Sequence, residues 1–383
     1  MNKHPYILAI DTSCDETSVA VLHGFKVLSN LLPSQAAMHR KWGGVVPNLA
    51  RLAHQERIDG VVERALKLAG IKIDQIDIFA VTYGPGLAIA LEVGIQKAKE
   101  LAEQYKKPLF AINHMEGHLF SAFAEKKTQN PNPKSQKIES PVLGVLVSGG
   151  HTEFILVKNY GEYEILGETL DDACGEAYDK CGRLLGLGYP AGATITKFAK
   201  ERRPNVTVEF KNDMQSYVAT LTSQPSGSRV EHGNSHFSLP VPMANSKDFN
   251  MSYSGLKSAF SRLVSENELT KEFTMDMCVL FEAVALKQIT LKLEGILKKH
   301  QVNEIWLGGG VVASPRLRSE VRKVFKGKVR FPSSKKLTGD NAAMIGVVAN
   351  IKLQNFGNTH NPAKGIYTSD FGLIDRDPSL ALG

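Results

Sequence analysis

Two stretches of the chain share one pattern of apolar and polar positions. Tyr6–Ile10 is a continuous apolar run, followed by the small polar turn Asp11–Thr17 and a second run, Ser18–Leu22. Val142–Val147 leads in the same way through Ser148–Thr152 into Glu153–Val157. Each predicts a strand, a tight polar loop and a second strand. The two copies lie about 135 residues apart, too long a period for a solenoid and suited to a duplicated domain. Between and after them helical and strand patterns alternate. Leu49–Ala69 reads as a helix with Leu52, Ile58, Val61, Val62, Leu66 and Leu68 on or near one face. Ile76–Val81 reads as a strand ending in Tyr83–Gly86, Leu87–Tyr105 as a helix and Pro108–Ile112 as a strand. Cys278–Lys299 reads as a helix and Glu304–Leu307 as a strand ending in Gly308–Gly310. Such alternation indicates α/β architecture.

Polar, turn-rich Glu125–Ser140 marks the domain boundary. The expected division is a first domain at 1–138 and a second at 139–344, with an insertion at about 205–250. The segment 345–383 is left to pack back on the first domain. Thr222–Phe249, rich in Ser, Pro, Gly and Asn, is expected to be a long loop or insertion, and Asn358 onward an irregular tail.

Composition narrows the class. The chain has 383 residues, 43% hydrophobic and 22% charged, ordinary for a soluble globular protein of two domains. Met1–Pro5 leads straight into a strand-like run, the pattern of a chain without a secretory signal. No apolar stretch reaches the roughly 20 residues of a membrane helix, so no membrane partner is expected. Cys14, Cys174, Cys181 and Cys278 are scattered, which argues for reduced thiols, a cytoplasmic location and no cysteine zinc site. The net charge of +7 suits an anionic partner such as RNA. Basic residues crowd at Arg322, Lys323, Lys326, Lys328, Arg330, Lys335 and Lys336, and again at Lys197, Lys200, Arg202 and Arg203. A solvated charged face explains either cluster equally well.

The candidate chemistry begins at His114 and His118. Two imidazoles four residues apart share a helix face and can grip one metal ion, although a chance pair of histidines has the same spacing. Zinc proteases use H-E-x-x-H, but here Glu116 lies about 200° round the helix from His114 and points away from the metal face. Three small-residue turns, Asp11–Thr17, Leu146–Gly150 and Gly308–Gly310, follow strands and could approach a phosphate. Each is equally a tight turn; together, in two related halves, they suggest a nucleotide in a cleft between duplicated domains. Ser314-Pro315 reads as a helix start. Asp340 precedes an apolar helix. It either caps that helix or gives a carboxylate to the histidines, and two His plus one carboxylate suits Fe2+ or Zn2+.

These segments together resemble the TsaD-type tRNA N6-adenosine threonylcarbamoyltransferase family, of bacterial type, within the actin/hexokinase-like superfamily. The resemblance spans roughly residues 6–200 and 250–370 and is carried by Ile10–Thr17, Gly43–Pro47, Gly84–Gly86, His114–His118, Leu146–Thr152, Ser254–Lys257 and Asp340-Asn341. It implies two duplicated actin-like (RNase H-like, ASKHA) domains flanking a nucleotide and metal cleft. The implied metal ligands are His114, His118 and Asp340. The implied contacts to donor or adenine nucleotide are Leu146, Val147, Ser148, Gly149, Gly150, Asp179, Gly192 and Ser314. The implied reaction moves threonylcarbamoyl from threonylcarbamoyl-adenylate to N6 of adenosine 37 in tRNAs that read codons beginning with A. The implied partners are tRNA, a TsaB-like paralogue and a TsaE-like ATPase, with donor from a TsaC-type enzyme. Asp15 or Glu16 is expected to orient or deprotonate the amine. The family usually has Asn where Ser314 stands, often Thr where Gly339 stands, and often Glu where Asn48 stands. Two other functions compete. One is a metal-dependent glycoprotein peptidase, a label the family once carried and one that lacks a base at Glu116. The other is a sugar kinase or non-catalytic actin-like nucleotide-binding protein, which leaves the histidine pair unexplained.

Overall fold

The structure is a computed structural model that describes residues 4–42, 44–128, 138–212, 217–223, 236–356, 367–368 and 374–382. In the first half, β1 (Tyr6–Asp11) and β2 (Ser18–His23) form the expected antiparallel hairpin and β3 (Lys26–Leu31) extends it. The short α1 (Ala36–His39) and the long α2 (Pro47–Ala69) follow. Then β4 (Ile78–Gly84), α3 (Ala88–Tyr105) and β5 (Leu109–Asn113) add two strands parallel to β1 on its other side. α4 (His114–Phe120) and β6 (Glu125–Lys126) close this half.

The second half repeats the plan. β7 (Val142–Val147), β8 (Thr152–Asn159) and β9 (Glu162–Glu168) form the antiparallel part. α5 (Cys174–Leu184) and α6 (Gly192–Arg202) follow. The insertion forms a three-stranded antiparallel sheet, β10 (Val206–Asn212), β11 (Tyr217–Ser223) and β12 (His236–Pro240), before α7 (Ser254–Ser265) and α8 (Lys271–Lys299). β13 (Glu304–Gly308), α9 (Pro315–Val324) and β14 (Lys328–Arg330) complete the parallel part, and α10 (Ala342–Phe356) and β15 (Tyr367–Thr368) end the chain. The two main sheets have orders β15-β5-β4-β1-β2-β3-β6 and β14-β13-β7-β8-β9. Within each, five strands share one order and one set of directions, which is the duplication.

Both faces of these sheets are covered, which is why the strands read as unbroken apolar runs. Alternate residues of β7 serve different cores. Leu143, Val145 and Val147 join the core under α5 and α8, while Val142 and Leu146 join a central core between the halves. Gly144 lies on the central side, where a Cβ would meet the Leu119 side chain at 2.3 Å, so glycine lets α4 press onto the strand. α4 and α10 pack on each other in that central layer. α10 also covers β1 and β2, and α4 also covers β7 and β13. Trp306 of β13 is fully buried, with its ring 5.3 Å from Phe120 and 5.0 Å from Phe123. Each such fully buried large side chain contributes roughly 1.5–3 kcal/mol.

Several sequence expectations change. Part of the supposed loop at 222–249 is strand, because His236–Pro240 pairs antiparallel with Tyr217–Ser223; residues 224–235 lie outside the described residues. α8 starts at Lys271, where Thr270 accepts from Phe273 N. The buried face of α2 is Ala50, Ala53, His54, Ile58, Val61, Val62 and Ala65, whereas Leu52 and Leu68 are exposed. The end of the chain is pinned to the first half: β15 pairs with β5, Asp377 N donates to Tyr83 O at 2.8 Å, and Ile374 is buried. Residues 357–366 and 369–373 of the expected tail lie outside the described residues. Among the described residues no helix is long and apolar enough to cross a membrane.

Candidate functional site

The site lies where the carboxyl ends of β1, β5, β7 and β13 meet, the end of a parallel α/β sheet at which ligands bind. β5 ends at Asn113, whose Oδ1 accepts from Met115 N at 2.7 Å and Glu116 N at 3.3 Å and so starts α4. His114 and His118 then fall one turn apart, both buried, with ring centroids 4.7 Å apart at 85°. Asp340 comes from the turn between β14 and α10. Its Oδ1 is 3.1 Å from His118 Nε2 and 3.5 Å from His114 Nε2. Capping of α10 is done by others: Asn341 Oδ1 accepts from Met344 N and Ser18 Oγ from Ala342 N, which leaves the Asp340 carboxylate free.

These donors fit a metal ion. One ligand atom from each of His114, His118 and Asp340 lies within 4.8 Å of the others. Among the described residues neither buried ring nitrogen of His118 meets a hydrogen-bonding partner in good geometry, and its Nε2 lies 3.1 Å from Asp340 Oδ1. Asp11, at the end of β1 and 2% exposed, lies 3.6 Å from His114 Nδ1, beyond hydrogen-bond reach but close enough for its charge to act on the imidazole. Burial opposes the charged form of His114, but Asp11 and Asp340 outweigh it and push its pKa up to about 10. Burial likewise opposes the Asp340 carboxylate, yet His114 and His118 hold it well below the usual range.

Around this centre the halves present different loops. In the first, Asp15 is buried and Glu16 half-buried, and burial, then Asp15, then Asp340, push the Glu16 carboxyl well up. In the second, the Ser148 hydroxyl accepts from Gly150 N at 3.3 Å and His151 N at 3.0 Å. One of the expected phosphate-facing amides, that of Gly150, is therefore turned inward. Gly149 and Gly150 are exposed, and a Cβ on either would meet nothing within 4 Å, so the fold itself does not require glycine there. Leu146 and Val147 are buried, and their side chains belong to the cores. Gly308 and Gly309 have a packing role: a Cβ would lie 2.3 Å from His118 O and 2.4 Å from Val147 O, respectively. Asp179 Oδ1 accepts from Ala191 N at 2.7 Å, and its carboxyl also bonds the Gly192 amide, so it joins α5 to the start of α6. Ser314 precedes Pro315 at the start of α9, but its hydroxyl makes no cap and is buried without a partner among the described residues.

Sequence reasoning missed two residues here. Asp11 was legible only as part of a polar turn. His151 sits close enough to His114 and His118 that burial, then those two rings, push it down to about 4. Glu116 points away from the metal, as expected; it pairs with Lys352 at 2.9 Å and accepts from Tyr163 at 2.8 Å, so it cannot serve as a metal-side base. The second basic cluster splits: Arg202 pairs with Asp276 and Glu272 and Arg203 with Glu282, while Lys197 and Lys200 are exposed. In the first cluster Lys328 and Arg330 are held by Glu304 and Lys323 by Glu320, while Lys326, Lys335 and Lys336 are exposed.

Comparison with known proteins gives consistent results. The family model described as TsaD, tRNA N6-adenosine threonylcarbamoyltransferase, matches residues 26–347. A protein of that name from Clostridium perfringens is 40% identical, over 92% of this chain and 94% of its own length. Another from Thermosipho africanus is 39% identical over 92% and 95%, and one from Streptococcus pneumoniae 41% over 90% and 91%. Among solved structures, HypF of T. kodakarensis superposes with a TM-score of 0.52 at 14% identity, covering 92% of this chain and 48% of that one. That last likeness concerns the fold alone.

Proposed function

The chain belongs to the TsaD family of tRNA N6-adenosine threonylcarbamoyltransferases, and from that premise we infer how its cleft works. It is a transferase that modifies adenosine N6 in tRNA, built on two actin-like halves. Our finer reading is that the donor is threonylcarbamoyl-adenylate and the acceptor adenosine 37 of tRNAs reading codons that begin with A. The observation that carries it is the convergence of His114, His118 and Asp340 beside two facing strand-end loops.

His114, His118 and Asp340 would hold one divalent metal ion, Fe2+ by our assignment with Zn2+ the alternative. Such an ion, when bound, supplies a Lewis acid for a carbonyl or phosphate oxygen. The adenosine N6 attacks the carbamoyl carbon, the bond from that carbon to the phosphate oxygen breaks, AMP leaves and the amine gives up a proton. Gly149 and Gly150 leave room for the adenylate, the unpartnered Ser314 hydroxyl faces it, and Asp179 with Gly192 lines it. Burial, then Asp15, then Asp340, push the Glu16 carboxyl up, and we propose that Asp15 or Glu16 orients or deprotonates the amine. The exposed Lys326, Lys335 and Lys336, with Arg322, are our proposed tRNA surface. We further propose that the domains divide at about residue 138, that a TsaB-like paralogue and a TsaE-like ATPase assist, and that a TsaC-type enzyme makes the donor in the cytoplasm.

The test supplies threonylcarbamoyl-adenylate and unmodified tRNA, with TsaB and TsaE present, and looks for the modified nucleoside by mass spectrometry. Product is expected; none would remove the reading. Full activity in Glu16→Ala would remove Glu16 from the machinery.

A further inference from the structure

The loop that carries Asp15 and Glu16 is gripped from beneath by a chain of buried side chains. His54 of α2 is fully buried. Its Nε2 lies 3.0 Å from Cys14 O, and its Nδ1 lies 2.8 Å from Thr17 Oγ1 and 3.4 Å from Gln35 Nε2. Gln35 Nε2 also reaches Ala50 O at 3.4 Å, and Gln35 Oε1 lies 3.2 Å from His39 Nε2. His39 Nδ1 accepts from Val46 N at 3.3 Å. Gln35 N in turn donates to Asp15 O at 3.0 Å.

The donors and acceptors of this chain allow one assignment. Val46 N–H can only donate, so His39 Nδ1 is a lone pair and His39 Nε2 carries the hydrogen. Gln35 must then present its oxygen to His39 and its NH2 to His54. The Cys14 carbonyl can only accept, so His54 Nε2 carries the hydrogen and His54 Nδ1 accepts from Thr17. Reversing any one member sets donor against donor or acceptor against acceptor in a buried place, at about 1–3 kcal/mol for each unmet group. Burial also holds the His54 imidazole below its usual range, against the pull of the Cys14 carbonyl.

We propose that His54 is a positioning residue for the transfer reaction: in its Nε2–H form it fixes Cys14 and Thr17, the two residues that flank Asp15 and Glu16, and the His39–Gln35 pair sets that form. The inference rests on the reading that Asp15 and Glu16 handle the amine. His54 touches neither substrate nor metal ligand. It acts by fixing where the two carboxyls point, and misplacement by about 1 Å at a reacting group can cost on the order of 100-fold in rate.

Three variants of the full chain, assayed with its partner proteins, threonylcarbamoyl-adenylate and tRNA, test this. Gln35→Glu keeps shape but sets a carboxylate oxygen against His54 Nδ1. His54→Ala removes the grip, and His54→Gln restores a donor toward Cys14 O. Gln35→Glu and His54→Ala should lower kcat by about tenfold or more, with KM for tRNA and metal content unchanged, and His54→Gln should recover part of the loss. Unchanged kcat in Gln35→Glu, or a loss that follows metal loss, overturns the proposal. Should His54→Ala fail to fold, 15N spectra of the unaltered chain still decide: His54 and His39 should both show the Nε2–H form, and an Nδ1–H or doubly protonated His54 overturns it. Full kcat in both Asp15→Asn and Glu16→Gln defeats the underlying assignment instead, a result distinguishable from failure of the relay.

Discussion

Where the first strand of each half turns into the second, the chain places Asp11–Thr17 in one half and Ser148–His151 in the other. The strand order around them is the same. The chemistry is opposite. The first loop brings three carboxylates and is tied down by a neighbouring helix through His54. The second brings two exposed glycines and closes on its own serine hydroxyl. A phosphate is repelled by the first and tolerated by the second, while an amine that must lose a proton needs the first. Duplication thus gives two equivalent positions, and on our proposal divergence at a few residues divides donor handling from acceptor handling. The proposed metal ligands follow the same logic. His114 and His118 follow the fifth strand of one half, and Asp340 follows the fifth strand of the other.

This contrast can be broken at either loop. The largest effect is expected on the first-half side, from Asp11→Asn. That variant loses the charge beside His114 Nδ1 and should weaken metal affinity by roughly 10–100-fold, read by metal competition; unaltered affinity would show that Asp11 does not support the ligand. On the other side, Ser148→Ala frees the Gly150 and His151 amides from their internal acceptor. Losing both hydrogen bonds, at ~1 kcal/mol each, loosens the loop and should raise donor KM by roughly 30-fold, with metal content constant. A matching fall in metal content would erase the division of labour. The smallest effect concerns the parallel edges. β13 and β14 are joined by Glu304, which Lys328 and Arg330 grip. Burial opposes the Glu304 carboxylate, but Arg330, Lys328 and Trp306 outweigh it and lower it to about 2. Because the folded pKa is depressed, this stabilisation is complete above the unfolded value of about 4.5 and is lost as pH falls from there towards 2. Amide exchange at Val329 should accelerate over that window before exchange at Ala111 of β5; simultaneous opening would contradict it.

Much of this was legible because strands buried on both faces and a histidine pair one turn apart leave strong local patterns. Asp340 was ambiguous between cap and ligand, and only the tertiary fold, which lets Asn341 and Ser18 do the capping, separates the two. Asp11 and His151 were hidden because nothing local says which residues of a polar turn face a distant helix. The Ser148 hydroxyl was hidden for a related reason: glycine-rich loops look open in sequence until a side chain takes their amides. The cluster at Arg202 and Arg203 looked like surface because its partners, Asp276 and Glu282, lie about 75 residues away on α8. Leu52 and Leu68 looked like core because α2 buries small residues and a histidine where larger apolar ones were expected.

The central claim is that one metal ion, held jointly by α4 and by the turn before α10, supports transfer in this cleft. The most direct measurement takes the wild type and the variants His118→Ala and Asp340→Ala. In each preparation it determines metal content and the yield of modified nucleoside from tRNA and threonylcarbamoyl-adenylate. Metal and product should vanish together in both variants while the fold, read by thermal unfolding, persists. A variant that has lost its metal but still makes full product would contradict the account.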